Sequence, residues 1–440
     1  MAMQTIEIRN IGPLVDTGII SVSQVMLLIG EQSTGKSTFM KILCFCCWLE
    51  KQVMVSGDSI VSKYTHYYRF WNELKKFHHF NDDFLSDGSY IKYDGSAIQI
   101  EMQGRKRNAK IVRKPKFAEI RHNFKISFLP SERNLLSSIQ NIENLYRSKD
   151  VDMLFNYILE WGEARSQFSV THPLNLVFVD KMKYHYDEKS GDVLTLADGH
   201  SKIKPYYASS GVQSALPIQV LATYLANEVG TSAKISPVEY LKQLDLTDAK
   251  IDKNVLTALL SKLVEKRSSF KINIEELAKI SPSLGSVFTN LQKRSSYRSF
   301  HMFIEELEQN LFPKAQFELV KMLVGLLKLM DAKNTDYKST VFLTTHSPYV
   351  LTALNVMMLA SAAYEKSPDR VKDLGLNDYV LPKDSYSAYC IKDGRFENIV
   401  DEEYGFIKGD FLDSVSELVD NYTFELNSII YGNAEGYDVY

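Results

Sequence analysis

Residues 27 to 44, LLIGEQSTGKSTFMKILC, constrain this chain more than any other stretch. Val25 to Ile29 is apolar and of strand length, and from Ser37 to Glu50 apolar residues recur at helical spacing. Between them stand Gly30, four residues, and then Gly35-Lys36-Ser37, the strand–loop–helix arrangement of a phosphate-binding P-loop. The glycines let backbone N–H groups turn toward an anion, and the helix N-terminus adds its partial positive charge. Lys36 suits the β- and γ-phosphates of a nucleotide, and the Ser37 hydroxyl suits Mg²⁺. The expected contacts run from Gly30 through Glu31, Gln32, Ser33, Thr34, Gly35, Lys36 and Ser37 to Thr38.

Composition narrows the class. The 440 residues are 24% charged and 45% hydrophobic, an ordinary globular balance with room for two or three units or one core with insertions. A net charge of −3 gives no global drive toward nucleic acid or anionic membranes. No apolar run approaches the roughly 18 residues that span a bilayer. The start, MAMQTIEIRN, lacks the pattern of a signal peptide, so a cytoplasmic location is expected. Cys44, Cys46 and Cys47 cluster while Cys390 stands apart, and no His or further Cys pair nearby completes a zinc set. They read as small hydrophobes packing the helix behind the loop.

A phosphate loop needs acidic partners. In SFHMFIEELEQNLFP, His301 to Ile304 read as a strand with Glu305 and Glu306 at its carboxyl end, where open α/β sheets place ligands. One carboxylate there suits Mg²⁺ or its waters, and the second suits the attacking water. A rival strand, LNLVFVD, ends on Asp180 but offers one acid and runs on into a hairpin. Ser209-Ser210-Gly211 precedes a long helix and forms a second anion-binding corner. TVFLTTHSP ends a strand on Thr344-Thr345-His346, an imidazole placed for a γ-phosphate. Around these lie a strand with Ile6, Ile8 and Ile11, a hairpin on Asp94-Gly95, and turns at Gly191 and Gly199. Helical periodicity covers 135–168, 214–292 and about Lys314 to Asp331, and the last ten residues are expected to fray.

In the order P-loop, Ser-Ser-Gly helix, Glu-Glu pair and His, the chain resembles the ABC-type P-loop ATPases of the SMC, RecF and OLD-like branch. These are the "AAA family ATPases" of bacterial defence and DNA-repair systems. MFIEELEQNLFP resembles their acidic Walker B element, Thr344 to Pro348 match their TTHSP switch, and Ser209 stands in place of the signature serine. FLPSERN resembles their P-x-E-R loop, about where a Q-loop sits, which carries over to Glu132. The fold implied is α/β, an ABC-type ATPase with an N-terminal β-rich lobe and a helical insertion lobe. Its parts would be 1–134 with the P-loop and a basic β insertion, 135–297 with helices, a strand meander and the signature corner, and 298–440 with the acids and the switch His. The resemblance implies ATP and Mg²⁺ as cofactors, Glu306 and His346 as catalytic, and Ser37, Glu305 and Glu132 on the metal. It also implies a homodimer or larger homo-oligomer in which Ser209, Ser210 and Gly211 face the partner's nucleotide. Glu305 departs from the usual Asp, Leu307 from the usual Pro and Val212 from the usual Gln, and about ninety residues separate Gly211 from Glu305. No long heptad arms are present, and no Toprim-like nuclease unit is expected after His346.

Such ATPases convert hydrolysis into a conformational change. Two outlets stay open: control of a protein effector, a nuclease or toxin, in a defence-type system, or direct action on DNA. Residues 105–125 bear on the choice, because Arg105, Lys106, Arg107, Lys110, Arg113, Lys114, Lys116, Arg121 and Lys125 stand against Glu119 alone. The stretch reads as a basic strand that follows phosphates, as a solvated hairpin, or as a face for an acidic protein.

Overall fold

The computed structural model describes residues 4–56, 58–104, 108–139, 142, 152–231, 296–333, 336–401 and 405–408. Arg105 to Arg107, the expected helical stretch 232–292 and the last ten residues lie outside them. Strands β1 (Gln4–Ile11), β2 (Leu14–Asp16) and β3 (Ile20–Val22) lead into β4 (Val25–Ile29), which ends at the P-loop. Next come β5 (Leu85–Asp94), β6 (Ile98–Gln103), β7 (Lys110–Arg113) and β8 (Asn123–Leu129). A separate antiparallel meander holds β9 (Leu174–Asn175), β10 (Lys183–Asp187), β11 (Gly191–Thr195) and β12 (Lys202–Ile203). The chain then returns through β13 (Tyr297–Ile304), β14 (Thr340–Thr345), β15 (Tyr386–Lys392) and β16 (Arg395–Asn398).

One large sheet runs β7-β6-β5-β1-β2-β16-β15-β4-β14-β13-β8, with β3 on β1. The five strands from β15 to β8 are parallel, and β4 lies between β14 and β15. Their sequences explain this, because parallel strands covered on both faces read as continuous apolar runs. Every residue of β14 and the last six of β13 are buried. The antiparallel wing alternates instead: Ile98, Ile100 and Met102 of β6 point inward, and Gln99, Glu101 and Gln103 outward.

Helix α1 (Lys36–Ser56) lies against one face and is apolar almost all round. Cys44, Cys46 and Cys47 pack there with Phe39, Leu43 and Phe45, and burial pushes their thiols up. Glu50 of α1 is buried and accepts from the Tyr93 hydroxyl at 2.6 Å and the Ala97 amide at 2.6 Å, which fixes the β5–β6 hairpin to the helix. Helices α2 (Met153–Arg165), α3 (Ser210–Glu228), α4 (Pro313–Lys333) and α5 (Pro348–Lys366) share the other apolar cluster with Val25, Leu27, Ile304 and Leu343. Each large apolar side chain so buried contributes about 1.5–3 kcal/mol. Among the described residues no helix is long and apolar enough to cross a membrane.

One expected strand fails here, and so does the strand reading among the three left open for the basic stretch. LNLVFVD is no strand beyond Leu174–Asn175, because its backbone is spent elsewhere: the Leu176 amide donates to Met182 O and the Val177 amide to Gln219 Oε1. Asp180 is exposed and pairs with Lys314 at 3.5 Å. The stretch 105–125 is also not one basic strand. It breaks into β7, a short helix at Phe117–Ile120, and the start of β8. Lys114 pairs with Asp94 at 2.5 Å, and Arg121 closes the end of α1 by donating to Met54 O at 2.7 Å. Lys125 lies within 3.6 Å of both Glu163 and Glu228. Lys110 and Lys116 remain on the surface.

Candidate active site

The P-loop takes its shape from two glycines in the left-handed region. Gly30 has φ +154° and Gly35 φ +111°. A Cβ on Gly30 would stand 2.6 Å from Ile391 O, and one on Gly35 2.5 Å from the Leu14 side chain, so no other residue fits either place. Thr34 Oγ1 donates to Glu31 O at 2.9 Å and tightens the turn. Glu31, Gln32, Ser33 and Ser37 are exposed, while Lys36 and Thr38 are buried. Lys36 Nζ folds over its own loop, donating to Gly30 O at 2.8 Å and Glu31 O at 2.6 Å. Burial lowers its pKa to about 8, against the opposing pull of Glu308, Glu306 and the Cys390 sulfur.

The acids arrive on the strands beside it. Glu305 follows β13 and is 3% exposed. Its Oε2 accepts from the Ser131 amide at 3.3 Å, and the Ser37 hydroxyl lies near enough to help hold its charge. The other oxygen, Oε1, is buried with no hydrogen-bond partner. Burial raises the Glu305 pKa; Lys41, Ser37 and Ser131 resist, and the charge of nearby Glu132 adds to the rise. An orphaned carboxylate oxygen beside a serine hydroxyl, within the field of a second carboxylate, fits a hard, oxygen-seeking dication such as Mg²⁺.

Glu306 sits in the left-handed region at φ +47°, at a cost of about 1–2 kcal/mol for a residue with a side chain. Its amide donates to Thr344 Oγ1 at 3.0 Å, tying the acid turn to β14. Strain of this kind clusters where function over-determines the backbone.

Glu308 was not singled out by its sequence, although it is the third acid of EELEQ. Its Oε1 accepts from the His346 amide at 2.6 Å and its Oε2 from Thr345 Oγ1 at 2.8 Å. It therefore holds the loop after β14, where His346 Nδ1 comes within 3.5 Å of Lys36 Nζ. Three neighbouring parallel strands, β4, β14 and β13, thus bring Lys36, Ser37, Glu305, Glu306 and His346 to one end of the sheet.

The Ser-Ser-Gly corner lies apart. Ser209 precedes α3 with extended backbone and makes no side-chain capping bond, and Ser209 and Ser210 are exposed. A hydrogen bond from Asn310 joins the acid turn to Ser214 of α3; among the described residues none joins Ser209, Ser210 or Gly211 to the P-loop.

No family model and no curated protein matches this chain. Solved structures that resemble it include the SMC head domain from Thermotoga maritima, at 11% identity and a TM-score of 0.33, over 91% of this chain and 100% of that one. Another is the recombination mediator RecF bound to ATPrS in the RecFOR pathway, at 13% identity and a TM-score of 0.28, over 90% and 99%. RecF with ATP matches at 11% identity and 0.27, over 90% and 99%. Likeness this distant assigns no role to any residue; the geometry above does that alone.

Proposed function

We propose that this protein is an ABC-type ATPase. The observation that carries it is the convergence of Lys36, Ser37, Glu305, Glu306 and His346 at the carboxyl ends of adjacent parallel strands, with Ser37 near Glu305 and His346 beside Lys36. Lys36 leaves its loop carbonyls for the β- and γ-phosphates of ATP. Ser37 and Glu305, with Glu132 nearby, would hold Mg²⁺, which would supply charge neutralisation on the phosphates. Glu306 takes a proton from water as its oxygen bonds to the γ-phosphorus; the β–γ bridging bond breaks and ADP leaves with its electron pair. His346 steadies the γ-phosphate. The exposed Ser209 and Ser210 face the nucleotide of a second copy, so ATP closes a dimer and hydrolysis opens it. The three-part division at 134 and 297 belongs to the same proposal.

In this proposal the switch serves a protein effector, a nuclease or toxin. Direct action on DNA is the second reading: Lys114, Arg121 and Lys125 bond to groups of the protein itself, while Lys110 and Lys116 stay on the surface for it. The test is a contrast between adjacent acids. Glu306→Gln keeps shape but removes the base, so turnover falls about 10²- to 10⁴-fold with ATP still bound. ATP then traps a closed dimer, seen as an earlier-eluting species on sizing. Glu305→Gln weakens Mg²⁺–ATP binding itself, and Lys36→Ala abolishes it. Wild-type turnover in Glu306→Gln places the base elsewhere and refutes the assignment.

A further inference from the structure

Arg133 has no role in the chemistry above, yet it is fully buried, at 0% exposed, directly behind it. It stands in the turn after β8 and spends its planar fork on three main-chain carbonyls of two segments. Nη1 donates to Glu305 O at 2.6 Å, Nη2 to Glu306 O at 2.7 Å, and Nε to Ser214 O of α3 at 3.0 Å. Its own carbonyl accepts from the Tyr157 hydroxyl of α2 at 3.0 Å. A lysine ammonium lacks the rigid fork that serves three such acceptors together.

A second contact joins the same parts. Asn310, at φ +60°, closes the acid turn, and its Nδ2 donates to Ser214 Oγ at 3.1 Å. Gly211 abuts the same residue so closely that a Cβ there would stand 2.7 Å from Asn310 O. The first turns of α3 are therefore seated on the segment that aims Glu306, and Arg133 bolts the two together from below.

We propose that Arg133 is a positioning residue that couples the Ser-Ser-Gly corner to Glu306 within one subunit. Resting on the ATPase assignment, it adds that the left-handed Glu306 backbone holds its aim only while α3 stays seated. Displacement of α3 at the corner is thus felt at the general base, and ordering of the acid turn by bound ATP is felt at the corner.

The test uses the full chain with Arg133→Lys, which keeps the charge and loses the fork. Calorimetry with Mg²⁺–ATP should give a Kd within about threefold of wild type, because no nucleotide contact is lost. The kcat should fall about 10- to 100-fold, the scale of a small misplacement of a catalytic group. Hydrogen exchange adds a readout that needs no turnover: ATP should protect 30–38 and 210–216 in wild type, but only 30–38 in the variant. Asn310→Gly tolerates the positive φ and removes the second contact; it should act in the same direction, and it carries the same readouts if Arg133→Lys fails to fold. Unchanged kcat with unchanged protection of α3, or joint loss of ATP binding and turnover in a folded variant, overturns the coupling role alone. A wild-type chain that does not bind ATP overturns the ATPase assignment and this inference with it.

Discussion

Replacing Glu308 by Gln should slow ATP turnover without touching the nucleotide. The carboxylate accepts two short hydrogen bonds, at 2.6 Å from the His346 amide and 2.8 Å from Thr345 Oγ1. A glutamine oxygen keeps the first. Its NH₂ group then faces Thr345 Oγ1, which already accepts from the Ser347 amide at 2.9 Å, and the fully buried Thr345 hydroxyl proton loses its acceptor. Losing one charge-assisted bond costs about 1.5–3 kcal/mol. Borne by the loop alone, that lowers the ratio of in-place to displaced His346 about 10- to 100-fold, and kcat by up to as much. Steady-state ATPase assays at saturating Mg²⁺–ATP give kcat, and calorimetry gives Kd at pH 7. Glu308 is also the largest charge holding up the Lys36 pKa, so the variant should lose ATP affinity at a lower pH than wild type. A folded variant with kcat within about twofold of wild type would show that Glu308 does not hold the loop.

In wild type, burial pushes the Lys36 ammonium down from its ordinary 10.5 to about 8, and phosphates would favour its ammonium form. Below pH 8 that ammonium is already present; above it, binding must take up a proton, so ATP affinity should fall by up to about tenfold per unit between pH 8 and 10. Calorimetry at pH 9 in buffers of different ionisation enthalpy should reveal the uptake, and no buffer dependence would rule it out. Ser209→Arg places a long cation on the exposed corner and should leave ATP binding by the single chain intact while preventing ATP-dependent dimers. Normal dimers in that variant would remove the corner from the interface.

What the sequence revealed was local. The P-loop, the Asp94-Gly95 hairpin and the strand before Glu305 each depend on neighbours within a dozen residues, so spacing alone exposes them. Glu308 stayed hidden because its work depends on β14 lying beside β13, with Ile304 opposite Leu343. Within PSERN the resemblance drew attention to exposed Glu132, while the buried Arg133 beside it bonds to the acid turn. LNLVFVD and the basic stretch misled for a shared reason. Alternation and charge describe a segment's own preferences, whereas Gln219, Asp94 and the end of α1, all distant in sequence, decided what those residues bond to.

The interleaving of the parallel strands also sets a timetable for synthesis. β4 leaves the ribosome early, but its two flanking strands come from 340–345 and 386–392, and the carbonyl that crowds Gly30 belongs to Ile391. At about 5–20 residues per second, roughly 20–70 s separate the P-loop strand from its last neighbour. Until 340–345 emerges VMLLI has both hydrogen-bonding edges unpaired, and one edge stays open until 386–392 follows, a stretch that invites aggregation or a chaperone. If the site binds ATP as proposed, the nucleotide cannot template the early chain, and binding would be acquired only as the strands at 340–345 and 386–392 emerge.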